Sequence, residues 1–351
     1  MNIDDEIRKR ISDTLNLLKV VKNKTTYAYL QGIYSLKCDY ESIGECDKAC
    51  EYADMIIDML SHNKVNYPDN KETREKINDI WVTSYDTKAR QGDFESFCIA
   101  LEWNRPIHKQ FYLPRAKLLK KHGVIQGIQD LIDDKLDLLV LNCPPRIGKS
   151  TVGLFLQILL GGMFPDESIL GAGHSVSLVQ SFYSEIQSIL TSDEYRYHEI
   201  FPNNNIVDKS AEYYYLDLNK KRRFHTYNYV SIEAGGTGKV QAERLLYCDD
   251  LVKDVEQANN PDRLEKLYYN YTSTIKDRKI QRLCKDGIYR TCPEIHICTP
   301  WSLHDVTSRV IQNAKDSGDM SRMRIVSVPC YDENGESNFM YDYGKGFDTK
   351  Y

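Results

Sequence analysis

The chain has 351 residues, of which 41% are hydrophobic and 28% charged, and its formal net charge is −5. This length suits one large domain with an appendage, or two ordinary domains, and the negative charge argues against a protein that coats nucleic acid. No apolar run approaches the roughly 20 residues of a membrane-spanning helix, and the charged start MNIDDEIRKRISD lacks the apolar core of a signal peptide. We therefore expect a cytosolic protein without a membrane partner, whose ten cysteines are reduced thiols.

Residues 1–85 are expected to form an α-helical appendage. Apolar side chains recur at helical spacing twice within residues 1–65, and the polar stretch Ser61–Thr73 predicts a loop. A second helical stretch follows as far as about Trp103. Residues 1–85 contain no chemical motif, so the sequence does not indicate their role.

From Asp137 onward strands and helices alternate, which predicts an α/β domain with a mostly parallel sheet over residues 86–331. The apolar run Leu138–Leu141 is typical of a strand that is buried on both faces. Further strands are expected at Ser168–Ala172, Leu245–Cys248, Glu294–Cys298 and Arg324–Val328, an antiparallel pair at Tyr213–Leu218 and Phe224–Ile232, and helices at Thr151–Leu160, Ser175–Leu190, Pro261–Thr274 and Asp305–Asn313. The Gly- and Asp-rich residues 332–351 are expected to be a linker.

The segment NCPPRIGKST (Asn142–Thr151) has the features of a phosphate-binding loop. Its GKS tripeptide directly follows a predicted strand and begins a predicted helix, which is the setting that the P-loop motif requires. Lys149 would reach the β- and γ-phosphates of ATP, and the Ser150 hydroxyl would bind Mg²⁺. The predicted nucleotide-binding residues are Pro145, Arg146, Ile147, Gly148, Lys149, Ser150 and Thr151.

This loop departs from the usual motif at Cys143, where G-x-x-x-x-G-K-[ST] begins with glycine. Pro144 and Pro145 stiffen the entry instead. Arg146 places a positive charge inside the loop, where it would act catalytically by stabilising the γ-phosphate in the transition state. The alternative is that Arg146 pairs with a carboxylate and only fixes the loop.

An acidic pair, Asp249 and Asp250, follows the apolar run Leu245–Cys248 directly. In P-loop ATPases a carboxylate at this place holds Mg²⁺, and a second acid polarises the attacking water. Asp249 is therefore the metal candidate, and Asp250 is the candidate general base. Glutamate is the more usual base, so the shorter Asp250 must lie closer to the water or act more weakly. Helix capping by aspartate is the alternative, which the upstream phosphate loop disfavours.

The ordered set of these motifs resembles the ATPase part of phage and viral terminase large subunits, over about Asp86 to Tyr351. CPPRIGKST is similar to the deviant phosphate loop of that family, SIEAGGTGKV to its glycine-rich segment, and LLYCDDLVKDVEQANNP to its acidic strand and the residues after it. HICTPWSLHDVTSRV resembles the segment that couples ATP hydrolysis to DNA movement, with Pro300 where arginine is common. By this resemblance Thr299 is the coupling candidate.

The resemblance implies a P-loop NTPase of the additional-strand, RecA-like class that uses ATP and Mg²⁺ to drive double-stranded DNA into a procapsid. Its partners would be the portal protein, the small terminase subunit and further copies of itself in a pentameric ring, at the procapsid portal vertex in the host cytoplasm. Family members carry a C-terminal nuclease domain. We therefore expect residues 332–351 to be a linker toward that domain, which is absent here, and expect no nuclease activity.

Two other functions remain open. One is another P-loop DNA translocase or helicase-like ATPase, although a helicase needs a second RecA-like domain. The other is a degenerate ATPase that acts as an assembly scaffold, which the missing glycine at Cys143 and the short base at Asp250 leave room for. The basic run Lys220–Arg223 is either a solvated hairpin tip or a contact to the DNA backbone, and Lys239 could reach phosphate or DNA.

Overall fold

The computed structural model describes residues 3–145, 147–233, 240–318 and 320–346. The chain divides into two compact units, Met1–Trp103 and Asn104–Tyr351. The boundary predicted after residue 85 falls inside a helix of the first unit, Lys71–Arg90. Among the described helices, none combines the length and the apolar composition needed to cross a bilayer.

The first unit is built from helices. They are α1 (Ile3–Val20), α2 (Tyr27–Ser42), α3 (Cys46–Ser61), α4 (Lys71–Arg90) and α5 (Phe94–Leu101). Side chains of Thr26, Asn70 and Asp93 accept backbone N–H groups at the starts of α2, α4 and α5, which satisfies donors that have no intrahelical partner. Leu30 and Ile56 are among the buried apolar residues that join these helices.

The second unit combines helices with an eight-stranded sheet. Its helices are α6 (Tyr112–Lys121), α7 (Val124–Ile132), α8 (Lys149–Met163), α9 (Val176–Thr191), α10 (Tyr197–Ile200), α11 (Val255–Ala258), α12 (Pro261–Asn270) and α13 (Val306–Asp316). Its strands are β1 (Leu138–Asn142), β2 (Ile169–Gly173), β3 (Ile206–Ser210), β4 (Tyr215–Leu218), β5 (Tyr227–Ser231), β6 (Leu245–Asp249), β7 (Gln281–Leu283), β8 (Tyr289–Thr291), β9 (Glu294–Cys298), β10 (Met323–Ser327), β11 (Met340–Tyr341) and β12 (Lys345–Gly346). The predicted α/β class is thereby confirmed.

The strand order of the large sheet is β10-β1-β9-β6-β2-β5-β4-β3. The strands from β10 to β5 run parallel to their neighbours, while β4 pairs antiparallel with both β5 and β3. The predicted antiparallel pair is therefore present as β4 and β5, whereas β3 was not predicted. Strand β9 lies between β1, which precedes the predicted phosphate loop, and β6, which ends at Asp249 and is followed directly by Asp250.

Helices cover both faces of the parallel strands, and the alternation of side chains along each strand explains why. On β6, Leu246 and Cys248 belong to the apolar cluster that includes Leu264 of α12 and Val306 of α13. Tyr247 points the other way, toward Gly153 of α8. A strand that is buried on both faces needs apolar residues at consecutive positions, which is the pattern that predicted β1 and β6.

Three local features differ from the sequence prediction. The helix expected over Pro261–Thr274 ends as α-helix at Asn270 and continues as a π-helical turn over Tyr271–Ile275. A short hairpin, β7–β8, follows before β9. Within residues 332–346, expected to be a linker, β11 and β12 pair with each other, and Tyr341 is buried against the Arg115 guanidinium of α6.

Candidate nucleotide-binding site

The segment predicted to be a phosphate loop connects β1 to α8. Gly148 is the residue before α8 and has a left-handed backbone (φ 84°), and it provides no side chain to cap the helix. A Cβ atom at this position would lie 2.1 Å from Cε2 of Phe111. The positive φ and the lack of room for a Cβ atom beside Phe111 therefore both favour glycine at position 148. The N–H groups in the first turn of α8 have no intrahelical acceptor, which makes this helix end suited to an anion.

The other predicted loop residues lie at the same helix end. Lys149, Ser150 and Thr151 form the first turn of α8, with Lys149 buried and the other two half-buried. Ile147 is buried under the loop, and Pro145 is exposed. Arg146, the remaining member of the predicted set, lies outside the described residues, as do residues 234–239 with Lys239.

The Lys149 side chain connects the start of α8 to the residues that follow β6 and β9. Its Nζ donates to Asp250 Oδ1 at 2.6 Å and to Thr299 Oγ1 at 3.0 Å. Asp250 follows β6, and Thr299 follows β9, the strand between β1 and β6. The carboxyl ends of parallel strands meet at one edge of a sheet, so residues that are distant in sequence converge at the helix start. The structure thus brings the predicted base candidate, the predicted coupling residue and the loop lysine into direct contact.

Asp250 has an unusual backbone. Its φ is 43°, in the left-handed region that residues other than glycine rarely adopt. Its N–H donates to the Ile297 carbonyl, and its own carbonyl accepts from Nδ1 of His174, 2.9 Å away. A carbonyl only accepts, so Nδ1 carries the proton in this contact. These bonds fix the residue so that its carboxylate also accepts the Thr299 N–H at 3.3 Å.

Asp249 is almost completely buried, at 1% exposure, and faces α8. Its Oδ2 accepts the Tyr247 hydroxyl at 2.8 Å. In the described part of the chain its Oδ1 has no hydrogen-bond partner of ordinary geometry. Burial raises the pKa of this carboxyl to about 6, and the Asp250 charge adds to the rise, whereas the Ser150 and Tyr247 hydroxyls and Lys149 oppose it. A buried carboxylate oxygen without a partner is what a cation ligand would look like.

Neither aspartate acts as a helix cap in the described contacts. The cap of the next helix, α11, is Asp254, whose Oδ1 accepts the Gln257 N–H. The capping alternative for Asp249 and Asp250 therefore has no support in the geometry.

Cys143 and Thr299 tie the loop to β9. The Cys143 N–H donates to the Cys298 carbonyl at 3.0 Å, and the Cys143 carbonyl accepts the Thr299 hydroxyl at 3.2 Å. The thiol of Cys143 is buried, which raises its pKa to about 12. The cysteine at the usual glycine position is thus a neutral, packed side chain, and its backbone takes part in the contact between the loop and β9.

Sequence reasoning missed three residues that shape this site: Tyr247, His174 and Phe111. Tyr247 precedes Asp249 by two positions on the same strand, so period-2 alternation could have placed its hydroxyl beside the carboxylate. His174 follows β2, the neighbour of β6, and the shared sheet edge was the available signal. Phe111 is far from the loop in sequence, and only the fold brings it over Gly148.

A second polar cluster lies on the opposite face of β6 and β9. Ligand atoms of Cys248, Glu294 and His296 lie within 4.8 Å of one another and are all buried. The two oxygens of Glu294 already accept from His296 (2.6 Å), from Lys279 (3.1 Å) and from the Tyr271 hydroxyl. Lys279 foremost, with His296, holds the pKa of Glu294 far below its usual range against the effect of burial. Protein groups thus satisfy this carboxylate, and a structural ion pair explains the cluster.

The predicted segment after β9 contributes little else to the site. Asp305 caps α13 through the Ser308 N–H. Arg309 lies over the Tyr268 ring and pairs with Glu265 of α12, so it supports the packing of α13 on α12.

Comparison of the sequence with protein-family models and with curated proteins gives no match.

Proposed function

We propose that the second unit is an ATP-hydrolysing motor domain and that the residues around Lys149 are its active site. The observation that carries this proposal is the convergence on Lys149 of Asp250 from the end of β6 and Thr299 from the end of β9. An N-terminal helix end with a buried lysine, opposite two carboxylates, is suited to a polyphosphate and its metal ion.

Nucleotide binding is assigned to the loop and to the first turn of α8. The N–H groups of residues 147–151 and the positive end of the helix would hold the phosphates. The Lys149 ammonium supplies a full charge from a buried position, where screening by water is weak. Gly148 allows the backbone to turn into the helix beneath Phe111.

The donor set beside Lys149 fits Mg²⁺. Magnesium prefers oxygen ligands, and among the described residues Asp249 offers a buried oxygen that no hydrogen bond of ordinary geometry occupies, close to the hydroxyl of Ser150. A bound Mg²⁺ would neutralise charge on the phosphates. Because a nearby cation favours the ionised carboxylate, it would also oppose the burial that raises the pKa of Asp249.

Asp250 is assigned the role of general base. Its carboxylate is partly exposed and is aimed by a constrained backbone. The contacts with Lys149 and with the Thr299 N–H are both made by Oδ1, so Oδ2 is the atom proposed to accept the water, and nucleotide binding would loosen the pair with Lys149. Phosphate oxygens that bind Lys149 would provide the competing partner.

The order of the strands supports a motor rather than a simple nucleotide-binding domain. A strand inserted between the one with the phosphate loop and the one with the acidic pair is what the additional-strand class implies, and β9 occupies that place. Thr299 at its end contacts the lysine and the loop, so it is suited to pass changes in the site to the rest of β9. We propose that the domain is the ATPase of a viral terminase large subunit acting on double-stranded DNA, with a portal protein, a small terminase subunit and a pentameric ring as its assembly.

Isothermal titration of ATP with and without Mg²⁺ tests the site, with Lys149→Ala and the exposed Lys315→Gln as a matched pair. ATP binding that needs Lys149 and is strengthened by Mg²⁺ supports the proposal. Equal affinity in the two variants contradicts it. Displacement of a third strand from duplex DNA during ATP hydrolysis then separates a translocating motor from a static scaffold.

A further inference from the structure

A cavity of 620 Å³ lies on the antiparallel side of the sheet, away from the phosphate loop. Its lining includes Tyr213, Tyr215, Arg222, Arg223 and His225. These residues belong to β4 and to the segments on either side of it. The volume lies within the usual range of small-ligand sites, and the lining combines aromatic rings with guanidinium groups.

The aromatic part of this cavity presents ring faces. The rings of Tyr215 and His225 stack at 3.6 Å with an angle of 5° between them. Tyr213 is 68% exposed, and its hydroxyl donates to the Glu212 carboxylate. Between the two tyrosines, Tyr214 has a left-handed backbone with φ 51°, a strained conformation of the kind found at binding sites.

The loop between β4 and β5 is held from inside by one buried carboxylate. The Asp217 carboxylate accepts hydrogen bonds from the backbone N–H groups of Arg222 and Thr226 and from the Nδ1–H of His225. The cavity wall is therefore preorganised, which lowers the entropy cost of binding.

The basic side chains around the cavity differ in whether they pair with a carboxylate. Lys221 pairs with Asp208 at 2.9 Å, and Arg222 lies 3.5 Å from Asp166. Arg223 is exposed and lies over the Phe224 ring, with no carboxylate partner in the described part of the chain. Its guanidinium is thus available to an anion from outside the chain.

We infer that this cavity binds an unpaired nucleotide, with the base stacked on the exposed tyrosine ring and the phosphate at Arg223. Aromatic faces beside unneutralised arginine are the chemistry of single-strand recognition, since every base has a stacking face. A base inside a duplex has both faces covered by its neighbours. The inference is separate from the proposed ATPase function, because no residue of the Lys149 site takes part.

Fluorescence anisotropy with a labelled oligothymidine, without ATP, tests this inference. Duplex DNA of the same length and thymidine monophosphate serve as competitors. We expect Tyr213→Leu to weaken binding by about tenfold, while Tyr289→Leu, at another exposed tyrosine, leaves it unchanged. Arg223→Gln should weaken binding and lower by about one the number of counterions released on binding, which the salt dependence of the affinity measures. Lys220→Gln removes the same charge from the same loop outside the cavity and should have a smaller effect.

The competitors distinguish the source of the nucleotide. Competition by thymidine monophosphate supports a site for free nucleotides, and competition by unlabelled single strand alone supports a site for strands. Both results agree with the inferred chemistry. Equal binding of duplex and single strand, combined with equal effects of Tyr213→Leu and Tyr289→Leu, would overturn it. Thermal unfolding of each variant verifies that these exposed substitutions leave the fold intact.

Discussion

The ammonium of Lys149 lies 2.6 Å from Oδ1 of Asp250, so the first residue of α8 is bound to the residue that directly follows β6. Lys149 is nearly buried, whereas about a third of the Asp250 side chain is exposed. The proposed mechanism needs this lysine on a phosphate and this aspartate on a water. The ion pair therefore competes with the phosphate contact of Lys149.

Asp250→Asn should separate nucleotide binding from hydrolysis. Removing the negative charge releases Lys149 and reduces repulsion of phosphate, so ATP should bind about fivefold more tightly, the size of a partly exposed ion pair. Hydrolysis should fall by about a hundredfold or more, because the base is lost. Titration calorimetry and single-turnover rates measure the two effects. Weaker binding with unchanged hydrolysis would contradict this assignment.

Asp249→Asn should stabilise the protein near neutral pH. The pKa of Asp249 is raised to about 6, above that of an unfolded aspartate, so the native state binds this proton more tightly and gains stability as the pH falls from 6 toward 4. Above pH 7 the buried charge costs up to about 3 kcal/mol, given about 1.4 kcal/mol per pKa unit. Urea unfolding at pH 8 and pH 4.5 should show that the advantage of the Asp249→Asn variant shrinks at the lower pH.

Protonation of the Asp249 carboxyl should also weaken the proposed metal site. Below about pH 6 the protonated Asp249 is a poor ligand, so the part of ATP affinity that depends on Mg²⁺ should decrease there and should be absent in Asp249→Asn. If Mg²⁺ strengthens ATP binding equally in both proteins, Asp249 is not the ligand.

Gly148→Ala should damage the loop more than an equivalent change elsewhere. Gly287 also has a positive φ, but a Cβ atom there would meet nothing within 4 Å. Gly287→Ala therefore reports the backbone cost alone, about 1 kcal/mol, whereas Gly148→Ala adds the clash with Phe111. We expect a further loss of about 1–3 kcal/mol in unfolding free energy and weaker ATP binding only for Gly148→Ala. Equal losses would mean that Phe111 moves aside without cost.

Thr299→Val should uncouple the site from DNA. Valine keeps the shape of threonine and removes the hydroxyl that joins Lys149 to the Cys143 carbonyl. The stimulation of ATP hydrolysis by duplex DNA should fall by about tenfold, within the usual range of coupling energies, while basal hydrolysis changes less. Thr299→Ser retains the hydroxyl and should retain most of the stimulation. Loss of basal hydrolysis in both variants would assign Thr299 a structural role.

The cluster around Glu294 should behave as a structural ion pair. Glu294→Gln leaves Lys279 buried without its charge partner and should cost about 3–5 kcal/mol of unfolding free energy. Glu265→Gln breaks the exposed pair with Arg309 and should cost less than about 1 kcal/mol. Because the pKa of Glu294 is lowered, its contribution is present above its unfolded pKa and is lost as the pH falls through the native value. A rise in melting temperature on adding Zn²⁺ would indicate a metal site instead.

Particular residues show how far the sequence alone could lead. The apolar runs of β1 and β6 were recognisable because helices cover both sheet faces, whereas β9 alternates polar with apolar residues and contains Glu294 and His296. In the sequence, Lys149 follows one predicted strand and the acidic pair follows another. Because parallel strands end at the same edge of a sheet, their proximity could be expected. The bond from Tyr247 to Asp249 and the left-handed backbone of Asp250 depend on tertiary contacts. Strand β3 was missed because its burial pattern alternates between half-buried and exposed residues.

The most direct test of the motor assignment is single-turnover ATP hydrolysis with the protein in excess, in the presence of duplex DNA and portal protein. The unsubstituted chain is compared with Lys149→Ala and Asp250→Asn. The proposed site predicts hydrolysis at least about a hundredfold faster than in either variant. Equal rates in all three proteins would contradict an ATPase centred on Lys149.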